Sequence, residues 1–390
     1  MNGLRLSRLR NSRGFAIPTA IFVIIVVSML ALGGLYVAQN DATASTGIRR
    51  SWKAFNAANA GATHVLAKWD RFTYGRMNPG EEYDTGWRQL PDGSDYRASV
   101  RRVDDGSIVK QMLYRIRTVG RPGRGVTAQR VVVTMAKADR AEGLCCDGAM
   151  KTRGLLNIRG TGAGVKVSGV DAVPTGWAGR CPVGLQDVPG VRVLEDANID
   201  ITGQPDLEGA PAILEDPSIT EQDFVQFGDV SYEDLAAAAD KQYPNGLVLD
   251  ELYPSTDGGK CLTSAATNWG DPLVPGSPCW DYLPIIHVDG DLKVAGNGYG
   301  QGVLLVDGNM QVTGTFEFYG VVIVMGEADF RGSTDLFGGL LVRNGISADS
   351  DSYLRGGTTL QYSSCSAGRA MLQATVARPL SGRHWFEVLE

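Results

Sequence analysis

The hydrophobic pattern changes its rhythm three times along the chain. From Phe15 to Gln39 there is no charged side chain, and the run is almost wholly apolar. Roughly 20 such residues, rising about 1.5 Å each as a helix, cross the ~30 Å hydrocarbon core of a bilayer. Past this run the period becomes amphipathic. Ile48, Trp52, Phe55, Ala58, Ala62 and Val65 recur at three- and four-residue spacing, the signature of one apolar helix stripe. Residues 15–69 are therefore expected to form one long helix. Residues 70–95, rich in Gly, Asp and Pro, read as a polar loop. Three strand-like runs follow, Tyr96–Val103, Met112–Val119 and Val126–Ala136. Asp104-Asp105-Gly106 supplies a hairpin signal and Arg121-Pro122-Gly123 the next turn.

The third rhythm is a repeat. Val288-Asp-Gly-Asp-Leu-Lys-Val-Ala-Gly296 returns as Val306–Gly314 and Val324–Gly332, with a weaker copy from Val342, at a period of 18. Apolar columns align: Ile286, Leu304, Val322 and Leu340; Leu292, Met310, Ala328 and Ile346; Val294, Val312, Phe330 and Ala348. One glycine column holds Gly302, Gly320, Gly338 and Gly356. Another holds Gly290, Gly308 and Gly326, with Asn344 expected to share their left-handed backbone. A fixed period with apolar columns and glycine corners predicts stacked β-coils, a solenoid. Gly154–Gly160 and Val165–Gly169 match the same columns and are expected to form an earlier coil. Residues 170–283 then read as an acidic insertion, with one helix at Tyr232–Tyr243 capped by Ser231.

The expected fold class is α+β, mostly β. A long N-terminal helix (15–69) leads into an antiparallel sheet region (70–140) and a first coil (141–169). The insertion (170–283), the glycine-rich solenoid (284–363) and a C-terminal cap (364–390) follow. The cap's helical start, Ala367–Ala374, is expected to cover the open end of the stack.

Charge then orients the picture. Arg5, Arg8, Arg10 and Arg13 precede the apolar run with no acid among them, so this flank stays cytoplasmic and the body is sent outward. The 390 residues carry a net charge of −6, and losing those four arginines makes the remainder more acidic. That argues against nucleic acid as a partner. Fifty glycines with 43% hydrophobic residues indicate a turn-dense β protein rather than disorder. All six cysteines (Cys145, Cys146, Cys181, Cys261, Cys279, Cys365) follow the apolar run, and an exported compartment permits disulfides. Cys261 and Cys279 flank a Gly/Pro-rich loop and form the preferred local pair. The adjacent Cys145 and Cys146 are each expected to bond a distant partner. No C-x2-C pair exists and the only histidines are His64, His287 and His384, so neither a metal nor another cofactor is implied.

Two N-terminal readings are bland: a secretory signal, for which the apolar run is too long, and a plain anchor. A third follows from the residues themselves. Arg13-Gly14-Phe15 resembles the type III leader cut by prepilin peptidase. Ser51-Trp-Lys-Ala-Phe-Asn-Ala-Ala-Asn-Ala-Gly61 resembles the stretch after the N-terminal helix of PilX-type pilus-assembly proteins, and the tail from Ser364 to Glu387 is similar to the ends of PilX-like β-solenoid proteins. The resemblance implies a leader at residues 1–14, cleavage between Gly14 and Phe15, and N-methylation of Phe15. Major pilins carry a glutamate at the fifth mature position, which here is Thr19, as in minor pilins and K-type pseudopilins. Pro18 is expected to bend or start the helix. The implied protein is a structural, non-enzymatic minor pilin or pseudopilin at a filament tip or initiating position. Its implied partners are prepilin peptidase, other pilins or minor pilins, the inner-membrane assembly platform, and a surface or glycan ligand. It would sit as a single pass in the inner membrane with a periplasmic body, and then in a pilus at the cell surface. The alternatives are a membrane-anchored β-helix enzyme acting on polysaccharide and a bactofilin-like scaffold.

Candidate chemistry is sparse. There is no H-E-x-x-H, G-x-S-x-G or Walker A sequence. Gly296–Gly302 reads as a corner turn. Asp289 and Asp307 share one column, and Asp291, Asn309 and Glu327 another. Such a ladder could hydrolyse glycans, but Asp-Gly and Gly-Asn pairs also simply make turns, which is the favoured reading. Asp196-Ala-Asn198-Ile-Asp200 opens like a calcium loop yet lacks the required glycine and glutamate, so an alternating strand is expected. Trp385 and Phe386 read as docking residues of the terminal cap.

Overall fold

The computed structural model describes residues 16–104, 111–141, 146–160, 164–181, 186–195, 199–344, 354, 356–380 and 385–388. One helix, α1, runs unbroken from Ala16 to Ala67. Pro18 lies in its first turn, where a missing amide costs the helix nothing. A short helix, α2 (Arg71–Tyr74), follows, with Asp70 accepting from the Thr73 amide as N-cap. The expected loop at 70–95 thus holds α2 and a whole edge strand, β1 (Glu82–Gln89). Polar side chains hid that strand because all of its residues but Thr85 are solvent-exposed and no alternation appears. β2 (Asp95–Arg102), β3 (Gln111–Arg121) and β4 (Arg130–Arg140) complete an antiparallel meander. Residues 105–110 of the first hairpin lie outside the described residues. Asp104 holds its base, accepting from the Leu113 amide at 2.8 Å and pairing with Arg102.

Beyond β4 the chain builds a stack of parallel strands whose pairing offset is the 18-residue period. Ile286 faces Leu304, Leu304 faces Val322, and Val322 faces Leu340. Leu292–Met310–Ala328 and Val294–Val312–Phe330 form two further inward columns. All are buried, each large apolar side chain contributing about 1.5–3 kcal/mol. Ile346 and Ala348 lie outside the described residues. Between these columns Val303, Leu305, Val321, Ile323 and Leu341 point the other way, yet they too are buried, under α5 (Ser364–Gln373) and the segment 219–235. That segment carries two short helices, α3 (Gln222–Val225) and α4 (Tyr232–Ala237). Continuous apolar runs such as Val303-Leu-Leu-Val306 are what a parallel sheet covered on both faces requires.

Residues 170–283 are not an insertion outside the stack. Val191–Val193 pairs with Met150–Thr152, Ile213–Glu215 pairs with Val191–Val193, and Lys241–Leu252 forms the coil before Ile285. The 150–168 coil joins the far end, beneath Leu340 and Leu360, rather than preceding Ile285. Gly338 faces Tyr362, not Gly356, because six additional residues enter that coil. In the second glycine column only Gly290 has positive φ, and Asn344 is not left-handed. Gly308 and Gly326 are needed for space instead, since a Cβ would lie 2.2 Å from Asp291 Oδ1 and 2.3 Å from Asn309 Oδ1 respectively. Gly296–Gly302 belongs to the continuous strand Leu292–Val306, not to a turn. There, Leu252 and Trp269 press directly on Gly298 and Gly300. The helix expected to reach Tyr243 stops at Ala237, and Lys241 begins a strand. Finally, α5 does not cover an end of the stack. It lies across its side, with Ala370 against Gly320, and the chain then returns to β4 through Thr375–Pro379 and Trp385–Val388.

Candidate functional site

The feature most in need of a partner is α1. Its first half is bare: Ile17, Phe22, Leu30, Leu32 and Tyr36 are each at least 67% exposed. It is long and apolar enough to cross a membrane. Its second half is clamped on the sheet by small residues. Ala54, Ala57, Ala58 and Ala62 are buried. A Cβ on Gly120 of β3 would lie 2.1 Å from Ala54 O and 2.3 Å from Ala58 N. One on Gly61 would lie 2.5 Å from the Tyr96 ring. The Ala/Gly-rich stretch 54–62 therefore exists so that helix and sheet backbones can touch. Trp69 closes the lower end against Tyr74 and Tyr114.

The apolar stripe expected on this half divides in two. Ala58, Ala62 and Val65 face the sheet, but Ile48 and Trp52 are about 60% exposed. With Ala44, Gly47, Ser51, Phe55 and Asn59 they line a groove closed by Arg130 and Glu387. Arg130 donates to Ser51 Oγ at 2.7 Å and pairs with Glu387 at 3.5 Å, fixing the wall. Phe386, expected to dock a terminal cap, is instead half exposed on the edge strand beside β4.

Of the other sequence-derived residues, Gly14, Phe15, Cys145 and His384 lie outside the described residues, as do Asp196 and Asn198. Thr19 sits on the exposed part of α1. Cys261 and Cys279 are bonded as expected, and Asn268 Nδ2 lies 3.4 Å from both sulfurs. A second bridge, Cys181–Cys365, was not deducible because its cysteines are 184 residues apart. It ties the first turn of α5 to an aromatic cluster of Trp177, Trp280, Tyr319 and Phe337.

The acid ladder is spent on corners. Asp291 Oδ1 accepts from the Asn309 amide at 2.7 Å, and Asn309 Oδ1 accepts from the Glu327 amide at 2.8 Å. Each side chain thus satisfies the next coil's backbone. Asp307 accepts from the Tyr232 hydroxyl at 2.7 Å and meets His287 Nε2 at 3.1 Å. Burial, then this hydrogen bond, pushes the Tyr232 hydroxyl far above its ordinary value. Asp200 lies in the strand Ile199–Gly203 and pairs with Arg159. His64 packs near the Tyr96 ring. Among the described residues no three His, Cys, Asp or Glu side chains converge on one point.

No protein-family model matches the chain, and no curated protein does so. Among solved structures, the competence-associated pilin ComZ from Thermus thermophilus aligns over 87% of this chain and 98% of its own at 13% identity, but a TM-score of 0.23 is too low to establish a shared fold.

Proposed function

We propose that this protein is a structural minor pilin or pseudopilin. The observation that carries the proposal is α1 itself: one unbroken helix, bare and apolar along its first half and pressed onto an antiparallel sheet along its second. A bare apolar helix of this length is stable only in a bilayer or among other apolar helices, and the rigid clamp at Gly120 lets it transmit a pull to the whole body. With Arg13-Gly14-Phe15 at its start, it fits a precursor held in the inner membrane, cut after Gly14, methylated on Phe15 and drawn into a helix-packed filament. Thr19 offers no carboxylate to neutralise a neighbouring N-terminal amine, which favours a tip or initiating position over the repeating one. There the parallel stack would be displayed for adhesion or for contact with other minor pilins. Prepilin peptidase and the inner-membrane platform would be its assembly partners.

The enzyme alternative is weakened because Asp291, Asn309 and Asp307 are already committed to backbone and to Tyr232 and His287. The scaffold alternative is weakened by the end coils. Asp206, Glu208 and Glu215 lie on one and Asp250 and Glu251 on the other, charged side chains of the kind that keep exposed sheet edges from pairing. The test is mechanical shearing of surface filaments followed by immunodetection. The proposal expects this chain in the sheared fraction at a small fraction of the main subunit. Retention of all of it in the membrane while filaments still form would contradict the proposal.

A further inference from the structure

A basic cleft lies between α2 and α5, lined by Arg71, Gly75, Arg76, Asp281, Leu283, Arg369 and Gln373 among others. Its arginines come from two distant parts of an acidic chain. Arg71 is buried and spoken for: it donates to Ala238 O at 2.8 Å and pairs tightly with Asp240. Arg76 and Arg369 are not so neutralised. Among the described residues they share one acid, Asp281, at 3.5 Å each, and that carboxylate is 62% exposed. Pairs so long and so wet contribute little.

Arg369 is held rigidly all the same. Its guanidinium lies 3.9 Å from the Trp280 ring centroid and 4.7 Å from that of Trp177, and its Nη2 donates to Trp280 O at 2.9 Å. Among the described residues its Nη1 has no hydrogen-bond partner. Burial lowers the Arg369 pKa to about 10, and the nearby charges of Arg76 and Arg180 push the same way while Asp281 opposes them. The cleft is thus a preorganised pair of planar cations with one loosely held counterion and an apolar wall, Leu283 and Leu372.

We propose that this cleft binds a small oxyanion, a carboxylate or phosphate group, between Arg76 and Arg369, with Asp281 swinging out as it enters. Planar guanidinium groups match either group through paired N–H donors. Asp281 acts as a built-in competitor, which makes the idea separable from a purely structural role for the arginines. The experiment titrates the full-length protein in detergent with inorganic phosphate and, separately, glutarate at constant ionic strength. Calorimetry and tryptophan fluorescence serve as readouts, with chloride as control. A saturable response with Kd of roughly 1 mM or tighter to either anion supports the proposal. Phosphate alone would identify phosphate-bearing ligands and glutarate alone carboxylates. Asp281→Asn should tighten binding about tenfold and Arg76→Gln weaken it at least tenfold; both residues are exposed enough to change without unfolding the chain. No saturable response beyond chloride in wild type and in Asp281→Asn would overturn it, as would affinity unmoved by both variants.

Discussion

Gly120→Ala is the smallest change that tests how α1 is attached. The added methyl would sit 2.1 Å from Ala54 O and 2.3 Å from Ala58 N, both backbone atoms. No rotamer change relieves such a contact, so the helix must lift off β3. Overpacking in a core typically costs about 1–3 kcal/mol, and a backbone-on-backbone clash belongs at the upper end, about 3 kcal/mol. Lifting α1 also loosens Ala54, Ala57 and Ala58 from the sheet. Gly61→Ala is the instructive contrast. There the methyl meets the Tyr96 ring at 2.5 Å and Thr118 Cγ2 at 2.7 Å, both side chains. Thr118→Ser should therefore recover part of the Gly61→Ala loss, whereas trimming side chains around Gly120→Ala should recover none. The assay is urea unfolding of the full chain in detergent, followed by fluorescence including that of Trp69. A Gly120→Ala loss below about 0.5 kcal/mol, or rescue of it by a side-chain substitution, would refute the close-approach reasoning.

Breaking the Cys181–Cys365 bridge with a double serine variant should cost about 2–5 kcal/mol in denaturant unfolding, because the bridge closes a very long loop and anchors α5. Asn309→Ala should cost about 1 kcal/mol by leaving the Glu327 amide to water, and Asp307→Ala more, because it orphans the largely buried Tyr232 hydroxyl. The Asp216 carboxyl is held down from 3.8 to about 2, by the Ser218 hydroxyl and amide first and Arg192 next. Its folded-state pKa lies below its unfolded value, so its stabilisation is complete above about pH 4 and is lost as pH falls toward 2. The stability gap between wild type and Asp216→Asn should close over that window. Trp52→Ala should leave unfolding of the body unchanged, since Trp52 is 62% exposed, yet reduce incorporation into sheared filaments.

Much of this architecture could be read from the residues, because it rests on local periodicity. The uncharged run from Phe15, the alternation in β2 to β4 and the 18-residue columns each depend on neighbours in sequence. Where the reading failed, the partner lay far away. Met150 packs beneath Leu340 and Val191 beneath Met150, so a strict period cannot reveal which coil continues the stack. The short coil strands between 191 and 252 carry little alternation and looked like an insertion. The division of α1's stripe was equally hidden: Ile48 and Val65 have the same spacing logic, and only the position of the sheet decides which is covered. The repeat marks Gly308 and Gly326, but what requires glycine there is a neighbouring Asp or Asn side chain rather than φ. At the N-terminus, Gly14 and Phe15 rest on the leader motif alone.

That junction is where the account is most directly tested. Intact-mass and N-terminal peptide spectrometry of the protein purified from its own envelope should find a chain beginning at N-methylated Phe15. A chain still beginning at Met1, or one cut after the apolar run near Gln39, would contradict the pilin reading and leave α1 as a plain anchor or a removed signal.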